Sequence, residues 1–470
     1  MKPEGPYSQA ELIASVTERF GPRAAITDRD AVEPWLTDWR GRLHGEARAI
    51  LAPGSTQEVA AIIALAAEHR VPLVPQGGNT SMVGGATPPE DGSALILSLR
   101  RMAALRSIDA EANLAVAEAG MILADLHDRA AAVERRFPLT LGARGSCTVG
   151  GLIATNAGGT QVLKFGTMRA LVAGIEAVLP DGTIHDGLTA LKKDNRGYSL
   201  DHLLIGSEGT LGIVTAAALK LVPAVAARVV AWAGLRDPEA ALELLRGLQA
   251  ETDMVEGFEI IPGDALALVI KHIPGTRRPL AGEHDWHVLI EATTADPARS
   301  PSAELERLLA DALDQGLIAD AAIASSEAQA EAFWRIRDSI AEAERAAGVS
   351  LAHDISVPVA DMPRFMTAAA AEIERAFPGV AASAFGHLGD GNVHFHVRTA
   401  GVEADPAAIT RMVHDLVTAA GGSISAEHGI GQMKRGEFER LAPPGRIAAL
   451  QAIKQGLDPL GLMNPGKLLR

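Results

Sequence analysis

Residues 75–85 of the chain read PQGGNTSMVGG, and this stretch decides the fold. It begins at the end of an apolar segment, residues 71–75, that we predict to form a strand. Upstream, residues 47–52 read as another buried strand, and Ser55 with Glu58 forms a capping box that opens a helix between the two strands. The sequence therefore predicts a βαβ unit whose glycine-rich loop lies where such units often bind ligands.

Two further glycine-rich windows follow, at residues 142–159 and 206–212. Together with residues 77–85 they hold thirteen of the 47 glycines in 34 residues, where an even spread would give roughly 3. Glycine permits close backbone approach and positive φ, so consecutive N–H groups can converge on an anion. None of the windows is a GxxxxGK[ST] or a GxGxxG loop, which argues against an ATPase and against a nicotinamide-binding Rossmann domain.

Composition and charge exclude several classes of protein. Acidic residues outnumber basic ones by 58 to 43, which argues against a nucleic-acid-binding surface. The single cysteine, Cys147, excludes a disulfide framework, a cysteine-built zinc site and an iron–sulfur cluster bound by thiolates. The N-terminal residues lead into no apolar run, and the longest apolar run, residues 59–67, is far shorter than the ~20 residues that cross a bilayer. We expect a globular, cytoplasmic protein with no transmembrane segment.

The second half of the chain begins after Pro223 and mixes strands with helices. Asp237 and Ser300 each cap a helix that starts with proline. Apolar alternation predicts strands at 286–292, 355–359 and 393–397, and helical periodicity covers 327–347, 361–377 and 406–420. This pattern indicates an α+β domain.

Histidines are concentrated near the C-terminal end. Five of the 14 lie between residues 387 and 428: His387, His394, His396, His414 and His428. A glycine-rich turn between His387 and His394 predicts a hairpin that lets the two imidazoles face each other. Two imidazoles and the carboxylate of Glu427 could form an open catalytic site for zinc or a similar divalent ion. The residue types alone are equally compatible with a metal site and with ordinary buried or surface histidines.

The three glycine windows, in this order and spacing, resemble the flavin loops of the vanillyl-alcohol-oxidase-type (PCMH-type) FAD flavoproteins. The matching segments are residues 75–85, residues 142–151 with 155–159, and residues 206–215. The resemblance runs from about residue 43 to the C-terminus and is strongest to the D-2-hydroxyglutarate, D-lactate and glycolate dehydrogenase branch. It implies an N-terminal segment (1–42), a PCMH-type FAD-binding domain (43–223) and an α+β substrate or cap domain (224–470) with a helical C-terminal segment.

The resemblance also implies roles for individual residues. The FAD-binding residues would be Gln76, Gly77, Gly78, Asn79, Thr80, Ser81, Gly142, Ser146, Gly151, Thr155, Asn156, Gly159, Glu208, Gly209 and Ile213, with Glu208, Gly209 and Ile213 on the adenosine side. A divalent metal, expected to be zinc, would be held by His387, His394 and Glu427. His428 would be the catalytic base, and Arg337 rather than Arg335 would bind the substrate carboxylate. Asn79 stands where relatives with covalent flavin have histidine, so we expect noncovalent FAD.

The implied activity is oxidation of a small 2-hydroxy acid, of the D configuration, to the 2-oxo acid. Ala341 and Ala352 stand where related sequences carry threonine and lysine, which puts 2-hydroxyglutarate itself in question. We expect a homodimer that passes electrons to an acceptor such as an electron-transfer flavoprotein or a quinone. The alternatives are a flavin-binding subunit of a larger dehydrogenase complex, an oxidase that uses O2, and, on the histidines alone, a zinc hydrolase.

Overall fold

The computed structural model describes residues 8–189, 191, 193–399 and 401–469. It divides into two compact units. The first takes the chain up to Gly159, residues 165–223 and the chain from Glu427 onward; the second takes residues 160–164 and 224–426. None of the helices in the described ranges is long and apolar enough to cross a membrane.

The first unit contains the elements of the N-terminal half. Its strands are β1 (Ala25–Ile26), β2 (Ile50–Leu51), β3 (Leu73–Gln76), β4 (Leu95–Ser98), β5 (Leu105–Asp109), β6 (Leu114–Glu118), β7 (Arg135–Arg136), β8 (Val172–Val178), β9 (Ile184–Asp186), β10 (Ile213–Lys220) and β11 (Val222–Pro223). The helices in this part of the chain are α1 (Gln9–Phe20), α2 (Arg29–Val32), α3 (Thr56–Glu68), α4 (Leu123–Ala131), α5 (Val149–Thr155), α6 (Val162–Phe165), α7 (Met168–Leu171) and α8 (Leu200–Leu204). Of these, α6 lies mostly in the second unit.

The predicted βαβ unit is present in this first unit. Ser55 caps α3 by accepting a hydrogen bond from the backbone N–H of Glu58, and the carboxylate of Glu58 accepts from the N–H of Gly54 at 2.7 Å. Strands β2 and β3 both pair in parallel with β4, in a sheet of order β1-β2-β4-β3. A second sheet has the order β5-β6-β10-β8-β9, in which β8 and β9 pair antiparallel.

The second unit is built on one antiparallel sheet. Its strands are β12 (Ala227–Leu235), β13 (Val255–Pro262), β14 (Trp286–Thr294), β15 (Asp320–Ile323), β16 (Ser350–Ser356), β17 (Ala381–His387) and β18 (Asn392–Arg398), in the order β15-β12-β14-β13-β17-β18-β16. Its helices are α9 (Pro238–Glu251), α10 (Gly263–His272), α11 (Pro301–Asp314), α12 (Glu327–Asp338), α13 (Ile340–Ala347), α14 (Met362–Ala376) and α15 (Pro406–Ala419).

The side chains of this sheet alternate between two cores. In β12, for example, Ala231 and Ala233 pack with α9, α11, α14 and α15, whereas Val230 and Trp232 pack with α10, α12 and α13. We predicted one helix over residues 327–347, but it is interrupted at Ser339, and both pieces pack on the same sheet face. The strand predicted at 355–359 lies earlier, at β16, because pairing with β18 from Ser350 to Ser356 sets its bounds.

The C-terminal segment returns to the first unit, although we predicted it as part of the domain that begins at residue 224. It contains α16 (Arg435–Leu441) and α17 (Pro444–Leu457). Beyond α17 the chain runs beside β3: Leu73 donates to the carbonyl of Leu462 at 2.9 Å, and Asn464 donates to the carbonyl of Leu73 at 2.8 Å. These backbone bonds add the segment to the edge of the sheet that carries the first glycine loop.

Candidate active site

The three glycine windows meet around one cavity of about 590 Å³ inside the first unit. Most of the predicted cofactor residues line this cavity. They are Gln76, Gly77, Gly78, Asn79, Thr80, Ser81, Gly142, Ser146, Gly151, Thr155, Glu208, Gly209 and Ile213. Windows that are far apart in the sequence are therefore brought together as one binding surface.

Two glycines of the first loop allow it to pack directly on the second. A Cβ atom on Gly77 would lie 2.2 Å from Oγ1 of Thr148, and one on Gly78 would lie 1.9 Å from the carbonyl oxygen of Ser146. Any side chain at these positions would push the loops apart. The glycines are thus needed for the shape of the cavity wall. The packed loops suit a ligand that backbone groups can approach closely.

Polar side chains of the first loop hold its conformation. Asn79 has a positive φ of 54°, and its amide donates to the carbonyl of Thr37 at 2.9 Å. The Gln76 amide donates to two backbone carbonyls, and the Ser81 hydroxyl accepts from the N–H of Gly85 at 2.9 Å. These hydrogen bonds keep the first loop in its observed conformation.

Asn156 and Gly159, both predicted to bind the cofactor, do not line the cavity. Asn156 ends α5 in the left-handed conformation, and its side-chain oxygen accepts from the hydroxyl of Thr167 at 3.0 Å and the N–H of Arg169 at 2.9 Å. Gly159 packs on the backbone of Thr140, where a Cβ atom would lie 2.2 Å from the carbonyl oxygen. Both residues therefore stabilise the second glycine window through contacts outside the cavity.

Glu208 lines the cavity, and its carboxylate accepts hydrogen bonds from the C-terminal segment. One oxygen accepts from the N–H of Ile430 at 2.8 Å and the other from the N–H of Gly431 at 2.7 Å. Burial raises the pKa of Glu208 above its ordinary value, although these two N–H groups oppose the rise. The carboxylate is committed to a turn of the C-terminal segment.

That turn carries Glu427 and His428, and both side chains line the same cavity. They are partly accessible, at 24% and 31% exposure, and Oε2 of Glu427 lies 3.9 Å from Nε2 of His428. The predicted base therefore reaches the cavity wall formed by the flavin loops. A group in this position can exchange protons with a ligand in the cavity.

In the second unit, the predicted hairpin brings His387 and His394 together. Strands β17 and β18 pair Phe385 with His394, which places the imidazoles on one sheet face with ring centres 5.4 Å apart. Glu259 of β13 lies directly opposite His387 in the neighbouring strand, and its Oε1 is 2.6 Å from Nδ1 of His387. A carboxylate on Nδ1 leaves Nε2 to face outward, as in many metal-binding histidines.

Arg337 of α12 completes this cluster. Its Nε donates to Oε2 of Glu259 at 2.8 Å, and its Nη2 lies 3.1 Å from Nε2 of His387 and 3.4 Å from Nε2 of His394. Because a guanidinium only donates, both Nε2 atoms act as acceptors and aim their lone pairs at one region. A divalent cation needs the same lone pairs, so the two histidines fit a metal site.

Burial and charge fix the protonation of the cluster. Burial alone would raise the pKa of Glu259, but the positive charge of Arg337 and the hydrogen bonds from His387 and Arg337 outweigh it and hold the pKa at about 2. Burial, and then the charge of Arg337, lowers the pKa of His394 well below its ordinary value. At neutral pH the cluster therefore contains a carboxylate beside a neutral His394 that can act as a ligand.

Family models match almost the whole chain. One described as an FAD binding domain matches residues 47–187, and one described as the C-terminal domain of FAD linked oxidases matches residues 225–468. The chain belongs to the FAD-linked oxidase family. The predicted PCMH-type fold and the assignment to the vanillyl-alcohol-oxidase group are confirmed, and the protein is an FAD-dependent oxidoreductase.

Named relatives are similar to this chain over nearly its full length. The mitochondrial D-2-hydroxyglutarate dehydrogenase of Arabidopsis thaliana is 36% identical over 462 residues, which cover 97% of this chain and 81% of that protein. The D-2-hydroxyglutarate dehydrogenase of Xanthomonas citri pv. viticola is 36% identical over 448 residues, covering 94% and 93%. A solved alkyldihydroxyacetonephosphate synthase shares the fold, with a TM-score of 0.72 at 17% identity over 99% of this chain and 86% of that one.

Other residues singled out in the sequence lie away from the histidine pair or have other contacts. Arg335, the alternative to Arg337, donates to the carbonyl of Pro274 at 2.8 Å and is not among the contacts of the histidine pair. His414 is buried in α15 and packs edge-on against His353. His396 lies on the same sheet face as His394 and packs edge-on against Phe385. Of the two arginines, Arg337 is the one whose described contacts include the imidazoles of His387 and His394.

The sequence analysis missed Glu259 and Asp354. Glu259 is 1% exposed and holds both His387 and Arg337, while Asp354 of β16 lies opposite His394 and accepts from the amide of Asn392 at 2.8 Å. The sequence contains a feature that could have identified both residues. Each is a carboxylate inside a strand and is followed by an isoleucine, and a buried charge needs a partner.

Proposed function

We propose that this oxidoreductase oxidises a D-2-hydroxy acid to the 2-oxo acid. The observation that carries the proposal is 36% identity to two proteins named D-2-hydroxyglutarate dehydrogenase, over 97% and 94% of the chain. D-2-Hydroxyglutarate is therefore the first acid to test. Ala341 and Ala352 lack the polar groups that the family resemblance implies at these positions, so other D-2-hydroxy acids belong in the same panel.

The cavity of the first unit is the proposed FAD site. Its glycine loops offer backbone amides for the pyrophosphate, and the backbone contacts at Gly77 and Gly78 keep these loops close together. When bound, FAD supplies the flavin N5 that accepts a hydride from the substrate Cα. We propose that the FAD is held without a covalent bond.

His428 is the proposed general base. Its imidazole lines the cavity, and we propose that it takes the proton from the substrate hydroxyl as the Cα–H bond breaks. The proton moves to the imidazole and the electron pair leaves with the hydride, so the hydroxyl carbon becomes the carbonyl carbon of the 2-oxo acid.

His387 and His394 are the proposed metal ligands, and their two acceptor Nε2 atoms support this role. A divalent cation held by these two imidazoles, for which we propose zinc, would lower the pKa of the substrate hydroxyl. Glu427 remains the third ligand predicted from the sequence. Arg337 is proposed to bind the substrate carboxylate, which would require it to exchange its present imidazole contacts for the carboxylate.

The test of function is reduction of the protein-bound flavin without oxygen. Purified protein is mixed anaerobically with D- and L-enantiomers of 2-hydroxyglutarate, lactate, malate and glycerate, and with glycolate, while the flavin absorbance is followed. We expect bleaching by at least one D-acid and not by its L-enantiomer. Absence of bleaching with every acid would refute the proposal.

The test of the metal uses the same bleaching reaction after chelation. Chelator should abolish reduction by substrate while FAD stays bound, and added Zn²⁺ or Mn²⁺ should restore it. Glu427→Gln should lose metal. His428→Ala should keep metal but react about 10²–10⁴-fold more slowly, which is the usual contribution of a general base. Full activity in metal-free protein would contradict the metal-assisted mechanism, and loss of metal in His428→Ala would make that residue a ligand.

We further propose that an electron-transfer flavoprotein or a quinone reoxidises the flavin. Rapid reoxidation by air of substrate-reduced protein would instead indicate an oxidase. The homodimer and the cytoplasmic location remain predictions from the sequence, and the Arabidopsis relative carries the word mitochondrial in its name.

A further inference from the structure

Glu208 lies at a junction of the first unit that ties several segments together. Its backbone N–H donates to the carbonyl of Ala154 at 2.8 Å, and its own carbonyl accepts from the side chain of Asn464 at 2.7 Å. The same Asn464 amide donates to the carbonyl of Gly85 at 3.0 Å. Glu208 is thereby fixed to α5 and, through Asn464, to the end of the first glycine loop.

The carboxylate of Glu208 extends this junction to the turn that follows His428. Both of its oxygens accept backbone N–H groups, from Ile430 and from Gly431. The side chain is 7% exposed, and hydrogen bonds to a charged group in such a site are stronger than those between neutral groups. The turn has little room to shift, since a Cβ atom on Gly429 would lie 2.9 Å from Oε1 of Glu208.

A second anchor holds the other side of the turn. The carbonyl of Val83, in the first glycine loop, accepts from the N–H groups of Gln432 and Met433 at 3.1 and 3.3 Å. Gly431 has a positive φ of 53° and packs on the same carbonyl, where a Cβ atom would lie 2.2 Å from the oxygen. The turn is thus held between the first and third glycine loops, and the carboxylate of Glu208 is one of its anchors.

We propose that Glu208 is a positioning residue that holds His428 at the wall of the flavin cavity. The inference rests on the proposed function, because it concerns the base of that reaction. Its reasoning is geometric: two hydrogen bonds fix the backbone two and three residues after His428. Displacement of a catalytic group by about 1 Å can cost on the order of 10²-fold in rate, so anchoring of this backbone matters for catalysis.

The test compares Glu208→Gln with Glu176→Gln. Glutamine at 208 keeps the size of the side chain but turns an N–H₂ group toward one of the two N–H donors. Glu176 is a matched control because its carboxylate also accepts several hydrogen bonds inside the first unit, from Arg106, Thr56 and Thr215. It lies in β8, and none of the contacts described for its side chain is to residues 427–431.

We expect Glu208→Gln to exchange the Ile430 and Gly431 amide hydrogens faster than wild type. The maximal rate of flavin reduction by substrate should fall by about 10²-fold with little change in KM, as expected when only transition-state contacts are lost. Glu176→Gln should show neither change. Should Glu208→Gln fail to fold, Glu208→Asp takes the same measurements, since it keeps the charge but shortens the reach.

Unchanged amide exchange at residues 430 and 431, or an equal loss of rate in both variants, would overturn the positioning role. The exchange measurement needs no substrate, so it decides the anchor even when no acid in the panel reduces the wild-type flavin. That latter result would refute the proposed function alone.

Discussion

The ion pair between Glu259 and Arg337 gives a quantitative prediction for Glu259→Gln. The substitution keeps the shape of the side chain but removes the only negative charge described in contact with both Arg337 and His387. The pKa of Glu259 is about 2, against 4.5 for an ordinary glutamate. Neutralising this group in the folded state therefore costs roughly 3 kcal/mol. That value agrees with the ~3–5 kcal/mol expected when one partner of a buried pair is removed.

The assay is urea unfolding of wild type and variant at pH 7, followed by flavin fluorescence and circular dichroism. Glu344→Gln is the matched control, because Glu344 is equally buried and paired with Arg398 at 2.8 Å. Burial raises the pKa of Glu344, so burial favours the neutral form of this side chain. Glu344→Gln should therefore lower the unfolding free energy much less than Glu259→Gln does. A loss below ~1 kcal/mol for Glu259→Gln, or equal losses for both variants, would refute the reasoning.

The pH dependence of the same pair has a definite sign. Because the folded pKa of Glu259 is depressed, its contribution is fully present above about pH 4.5 and is lost as the pH falls toward 2. The difference in unfolding free energy between wild type and Glu259→Gln should therefore shrink over that range. A difference that stays constant between pH 5 and pH 3 would contradict the assignment.

Three further predictions follow from other residues. Arg337→Met should raise KM for the acid about 10–150-fold with an unchanged flavin spectrum, because a charged hydrogen bond to the carboxylate is lost; steady-state kinetics on the best acid checks this. Acid precipitation should release all flavin into the supernatant, since burial raises the pKa of the Cys147 thiol to about 11 and keeps it protonated; colour in the pellet would contradict this. Burial, and then the charges of His284 and Arg278, lowers the pKa of His287 to about 4. The unfolding free energy of wild type should therefore fall by roughly 2 kcal/mol between pH 7.5 and 5, and that of His287→Phe should not show this fall. Urea unfolding at the two pH values measures it, and parallel losses in both proteins would count against it.

Much of this protein follows from the sequence because its signals are local. The glycine windows predict loops with close backbone approach, and the capping box at Ser55 predicts the start of α3 within one residue. His387 and His394 come together through a short hairpin, whose pairing depends only on the turn between them. Such features are set by residues within a few positions of each other, so the order of residues along the chain is enough to predict them.

The tertiary structure decided the contacts that span long stretches of chain. Glu259 meets His387 across 128 positions, and Glu208 meets Ile430 across 222. A carboxylate within an apolar strand predicts that it has a charged or polar partner, but the sequence does not identify that partner. The partner is set by the strand order and by the place where the chain returns to the sheet. The return of the C-terminal segment to β3 depends in the same way on backbone pairing at Leu73, which no local pattern near Leu462 specifies. The sequence thus determined the flavin loops and the histidine pair, while tertiary packing chose the carboxylates that orient them.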